Sequence, residues 1–149
     1  FEGRASGMIS RYDGYKIYPN ALENAVTSSS YVEDAMVSEY YDESNFGAMP
    51  LIYVVLSKES KGIDIKDIIK NIIDNYILSN NNMSFRDIPT KWKVVDELPY
   101  TTALKKDYKK IKENGIDGSE ISIVCHETNM GLSYYDIVMP TKGKKLIKK

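Results

Sequence analysis

The sequence predicts an α+β fold, with a small mixed or antiparallel sheet flanked by helices and a C-terminal hairpin extension. Three observations predict it. Residues 49–56 form the longest apolar run and are strand-sized. Ile65, Ile68, Ile69, Ile72, Ile73, Tyr76 and Ile77 recur at the spacing of one apolar helical stripe. Alternating segments elsewhere mix with helical ones without a strict βαβ repeat.

From the N-terminus, residues 8–11 and 16–18 read as two short extended pieces around Asp13-Gly14, a strong turn signal because glycine tolerates positive φ. A helix follows, with Asn20 as its expected cap, Glu23 as the capping-box partner, and Leu22, Ala25 and Val26 on one face. Residues 31–41 read as a strand and 42–47 as a polar turn. Residues 49–56 are β-branched and nearly all apolar, as a strand covered on both faces requires. Pro50 falls near that strand's start, where a missing donor is tolerated.

The isoleucine helix over 65–77 takes Asp64 as cap and Asp67 in its first turn, where a carboxylate complements the helix dipole. Residues 79–84 read as a loop and 91–98 as a further strand. Residues 107–114 read as a short helix stopping at Gly115. Ile121, Ile123 and Cys125 alternate with polar partners, and residues 134–139 are expected to pair with them as a terminal hairpin. The basic tail, residues 142–149, is expected to be mobile.

The 149 residues suit one domain with a core of its own. A formal net charge of −1 removes the basic field that nucleic-acid binding usually needs. One cysteine, Cys125, and one histidine, His126, cannot make an internal disulfide or a standard structural zinc site, so no metal site is expected and a cytoplasmic setting fits. Adjacent strand residues point to opposite faces, which argues against a Cys125/His126 nucleophilic pair. No run approaches the roughly 18 to 20 apolar residues of a membrane span. The sequence opens without Met, at Phe1-Glu2-Gly3-Arg4, which leads us to expect a piece of something longer.

Two segments carry chemistry. The first runs Gly3-Arg4-Ala5-Ser6-Gly7-Met8-Ile9 through Asp13-Gly14 and Ile17 to Leu22-Glu23. The second is Pro99-Tyr100-Thr101-Thr102-Ala103-Leu104-Lys105-Lys106-Asp107. Together they resemble the hinge and terminal motifs of the C-terminal domain of the AMP-binding, adenylate-forming superfamily, over roughly residues 1–114. The terminal motif there reads Pro-x-Thr-x-x-Gly-Lys-x-Asp, and the hinge motif here is one residue longer than the common form.

The resemblance implies a lid domain over residues 1–118, with residues 119–149 as an extension of the same domain carrying the basic tail. It implies that Lys105 is the catalytic lysine of an acyl- or aryl-CoA ligase. Ser6 and Arg4 take the hinge, and Gly14 the turn past which a thiol enters. Thr101 and Thr102 support the nucleotide. ATP or AMP with Mg, and CoA, are the implied cofactors of the full-length enzyme, none bound tightly by this domain alone. The implied partners are the N-terminal adenylation domain and a small carboxylic acid, with no nucleic acid and no membrane.

Ser6 stands where the family has Asp or Lys, and Leu104 where it has Gly. Those departures sustain a second reading, a catalytically decayed relic that serves as a protein-interaction module. A third, a nucleic-acid-binding domain using the lysines of residues 105–112 and the tail, runs against the near-neutral charge.

Overall fold

The computed structural model describes residues 8–11, 13–43, 46–81, 83–100, 102–103, 107, 110–111, 119–127 and 133–138. Two short strands, β1 (Ile9–Ser10) and β2 (Lys16–Ile17), pair antiparallel around the Asp13-Gly14 turn, with Ile9 opposite Ile17. Helix α1 (Pro19–Thr27) leads into β3 (Val32–Asp42) and β4 (Gly47–Leu56). After a 3-10 turn at Lys58–Ser60 come α2 (Ile65–Ile72), a π-turn at Ile73–Ile77, and a second 3-10 turn at Phe85–Asp87. Strands β5 (Lys91–Val94), β6 (Ser119–Glu127) and β7 (Ser133–Val138) complete the main sheet.

That sheet has the order β3-β4-β5-β6-β7, and every pairing is antiparallel except the parallel β4/β5 pair. A parallel pair needs a crossover, and α2 with its flanking loops supplies it. The fold is therefore α+β with a mixed sheet, as the sequence predicts, and β6/β7 form the expected hairpin.

Strand β4 shows why its sequence is apolar throughout. Ile52 and Val54 join α1 and α2 in one core, with Ala35, Val37, Trp92, Ile121 and the isoleucine stripe. Leu51 and Tyr53 face the other way, against Met36, Val95, Leu98 and Ile111. The small sheet docks on the first core through Ile9 and Ile17.

Three expectations are corrected. Asn20 does not cap α1: the helix begins at Pro19, with Tyr18 at the cap position and no side-chain cap bond. Proline at the first helical position has its φ preset and no N–H to satisfy, so the helix starts two residues earlier than a cap at Asn20 would place it. Glu23 is no capping partner either; it is buried, and its carboxylate accepts from the Val37 amide of β3 at 2.8 Å. The isoleucine helix changes to a π-turn at Ile73, which keeps Ile73 and Ile77 on the same buried face.

Strand β5 is shorter than residues 91–98. Val95 N still donates to Val54 O at 2.9 Å, after which the chain leaves the ladder. Asp64 caps α2 as expected, accepting from Lys66 N at 3.3 Å. Of the helix expected over 107–114, residues 110–111 are helical, and residues 112–118 and the tail lie outside the described residues.

Candidate functional site

The first motif is described from Met8 onward, and its turn is tightly built. Gly14 N donates to Arg11 O and Arg11 N to Tyr15 O, both at 2.9 Å, with Gly14 at φ +87°. Positive φ is what a hairpin loop of this length demands of its glycine. An added Cβ at Gly14 would meet nothing within 4 Å, so the turn is open on that side.

Side chains beyond the motif hold this turn. Asp13 pairs with both Arg11 (3.3 Å) and Arg86 (3.4 Å), and Arg11 donates to the Arg86 carbonyl at 2.8 Å. The Tyr15 hydroxyl donates to the buried Asp87 carboxylate at 2.7 Å and accepts from Ser84 Oγ at 2.9 Å. Ser84 and Asp87 close a capping box on the 3-10 turn, with Ser84 N donating to Asp87 at 2.8 Å. Burial first, then the Asp87 hydrogen bond and charge, push the Tyr15 phenol above its ordinary value, partly offset by Ser84. These partners lie some seventy positions away, so no local pattern links them; only the Ser84-x-x-Asp87 capping box was open to sequence reading.

The second motif leaves the opposite face of the main sheet. Leu98 is buried there, and Pro99 O accepts from Asp107 N at 2.9 Å, closing the base of the intervening loop. Asp107 Oδ1 then accepts from Lys110 N at 3.1 Å, and Ile111 packs back beside Leu98. The Tyr100 hydroxyl donates to Asp34 at the start of β3. Burial and then that carboxylate push the Tyr100 phenol up to about 12. Thr102 lies exposed on the loop.

Of the residues expected to act, Gly14 and Thr102 are thus described, on segments anchored to opposite faces of the sheet. Lys105, Leu104, Thr101, Arg4 and Ser6 lie outside the described residues. Among the described residues no three His, Cys, Asp or Glu side chains are grouped to hold a metal ion. No helix among them is long and apolar enough to cross a membrane.

No family model matches the chain. It is 27% identical over 104 residues to the 2-succinylbenzoate–CoA ligase of Staphylococcus epidermidis, a match spanning 70% of this chain and 20% of that one. The o-succinylbenzoate CoA synthetase of Bacillus subtilis, solved with the acyl-adenylate intermediate OSB-AMP, superposes with a TM-score of 0.59 at 26% identity, over 77% of this chain and 21% of that one. The chain is related to the AMP-binding, adenylate-forming enzymes. The acyl-CoA synthetase of Brucella canis shares the fold, with a TM-score of 0.61 at 22% identity over 77% of this chain and 20% of that one. The chain spans about a fifth of the length of the curated relatives it matches.

Proposed function

We propose that this chain is the C-terminal lid of an ATP-dependent acyl- or aryl-CoA ligase and that Lys105 is its catalytic residue. In the first half-reaction the substrate carboxylate attacks the α-phosphorus of ATP, forming acyl-AMP and releasing pyrophosphate. Both reactants are anionic, so negative charge accumulates as they approach. The Lys105 ammonium, aimed at that charge, stabilises the transition state more than the separated substrates. In the second half-reaction the thiol of CoA attacks the acyl carbonyl and AMP leaves. The open Gly14 turn then lines the thiol's path, where a glycine gives a pantetheine arm room beside the backbone.

One observation carries the two-step reading. The two motif segments dock on opposite faces of one rigid sheet, Ile9 and Ile17 on one side and Leu98 and Ile111 on the other. A body so built offers either segment to a single active centre by rotating, and a rotation point at Ser6 and Arg4 precedes β1. Thr101 and Thr102 flank the lysine loop as nucleotide support. ATP with Mg, the carboxylic acid and most of CoA are bound by an N-terminal adenylation domain, so this lid alone binds none tightly.

The test is ATP–pyrophosphate exchange by the full-length protein against a panel of acids, with Lys105→Ala alongside. The expected result is acid-dependent exchange, lowered about 10² to 10³-fold by Lys105→Ala. A mutant at wild-type rates removes Lys105 from the mechanism. Leu104 in place of the family's glycine favours the relic reading, in which no acid supports exchange and Leu104→Gly is the first reversion to make.

A further inference from the structure

We infer that Phe46, with Tyr41 on the same hairpin, is an aromatic anchor that docks this lid on its N-terminal adenylation domain in the thioester-forming orientation. The inference rests on the lid reading given above. Backbone strain at Phe46 is the first observation. Among the described residues with positive φ, Gly14 and Gly62 are glycines, and Phe46, at φ +57°, is the exception. The left-handed region disfavours a side chain, and glycine would suit the position better. The ring gains little from the fold, because Phe46 is 80% exposed. A bulky apolar side chain held under strain and left in water implies a contact outside the domain.

Tyr41 widens the patch. Strands β3 and β4 pair as far as Asp42 opposite Gly47, so Tyr41 and Phe46 flank the last rung of one hairpin. Tyr41 is 63% exposed and, by alternation along β3, shares the face of Ala35 and Val37. That is the face on which Ile9 and Ile17 seat the Gly14 hairpin. The two features share an end of the sheet as well. Arg86 and Asp87 hold the Gly14 turn through Asp13 and Tyr15, and Thr90 just beyond them donates to Pro50 O at 3.2 Å, near the start of β4. The second motif leaves from the other end, where Tyr100 bonds Asp34 and Asp34 pairs with Val55. The ten residues of β4 separate the two ends by about 30 Å.

The partner follows from this placement and from length. The chain spans about a fifth of the curated relatives it matches, so a lid of this kind works against a much larger body. Turning Gly14 toward that body's active centre brings Tyr41 and Phe46 against it, and presenting the second motif carries them away. The Arg11, Asp13 and Arg86 charges at the same end supply the polar rim that surrounds an aromatic contact core.

The test uses the full-length protein and has a readout besides activity. With p-benzoylphenylalanine in place of Phe46, irradiation should cross-link the residue to the N-terminal domain of the same molecule. The yield should be several-fold higher with acyl adenylate and CoA than with ATP alone. Phe46→Gly should keep or raise the melting temperature, since it relieves the left-handed strain, and should leave pyrophosphate exchange at the wild-type rate. Thioester formation from preformed acyl adenylate should fall about tenfold with KM for CoA unchanged, the loss expected for one apolar contact. Phe46→Trp, which keeps a ring, should retain the wild-type rate.

Cross-linking to a second copy, cross-linking to CoA with a raised KM for CoA, or no cross-link at all overturns the inference, as does equal loss in both half-reactions. Wild-type thioester formation in Phe46→Gly, beside a slow Lys105→Ala, overturns the docking and leaves the lid reading standing. No exchange with any acid overturns the ligase reading and the thioester-forming orientation together.

Discussion

The Tyr15 hydroxyl and the Asp87 carboxylate, 72 positions apart in sequence, meet at 2.7 Å and join the Gly14 turn to the 3-10 turn that Ser84 caps. Asp87 is buried and accepts a second bond from Ser84 N, so its charge is satisfied by donors from two parts of the chain. Tyr15→Phe should therefore lower stability by about 1 to 2 kcal/mol, and Asp87→Ala by about 2 to 3, measured by urea denaturation. A Tyr15→Phe variant as stable as wild type would mean that this bond does not survive in solution.

Gly14 allows backbone strain to be separated from crowding. Its φ of +87° disfavours any L side chain, while nothing lies within 4 Å of an added Cβ. Gly14→Ala should cost about 1 kcal/mol, and Gly14→Leu no more than that. On the role proposed for Gly14, the thioester-forming step should instead fall further with Leu than with Ala, because the incoming thiol would meet the longer side chain. A stability loss that grows with side-chain size would show a contact on the face that the structure leaves open.

Strand β3 is an edge of the main sheet, and Glu23 covers it. The carboxylate, on a residue 5% exposed, takes the Val37 amide at 2.8 Å on the side away from β4. An uncovered edge donor invites pairing with another chain. Glu23→Ala should cost about 2 kcal/mol and promote self-association at high concentration, while Glu23→Gln keeps an acceptor and loses less. Equal stability of the two variants would sink this account.

Local pattern carried the elements, and long-range partners did not show in it. The stripe from Ile65 to Ile77 reports an apolar face whether the backbone is α or π, because both geometries bury Ile73 and Ile77; nothing in residue type marks the change at Ile73. Glu23 sits at a spacing that suits a capping box, but tertiary contact overrode the local role, since the Val37 amide lay within reach and Pro19 had already begun the helix. At the candidate site, Gly14 was legible as a turn glycine. Arg11, Arg86, Tyr15 and Asp87 acquire meaning only once folding brings the two turns together, and Tyr100 only once β3 supplies Asp34.

The pH dependence of stability follows from one carboxyl and two phenols, with opposite signs. On the acid side, burial would raise the Asp74 carboxyl, but hydrogen bonds from Lys70 (2.8 Å) and Tyr135 (2.7 Å), with the Lys70 charge, leave it below its ordinary 3.8. Its contribution is therefore present above pH 3.8 and is lost as pH falls through the lower folded value, since the unfolded chain there binds more protons. On the alkaline side, burial first and then Asp74 push Tyr135 above its ordinary 10.0, while burial and Asp34 take Tyr100 up to about 12. The unfolded chain releases these phenolic protons first, so both contributions hold below pH 10 and fade as pH rises through the folded values. Stability curves should then show Asp74→Asn flattening the acid limb, and Tyr135→Phe with Tyr100→Phe flattening the limb above pH 10. Twelve tyrosines titrate in the unfolded chain, so it is the difference between wild type and variant that isolates these two. Parallel curves above pH 10 would show that neither phenol is held by its carboxylate.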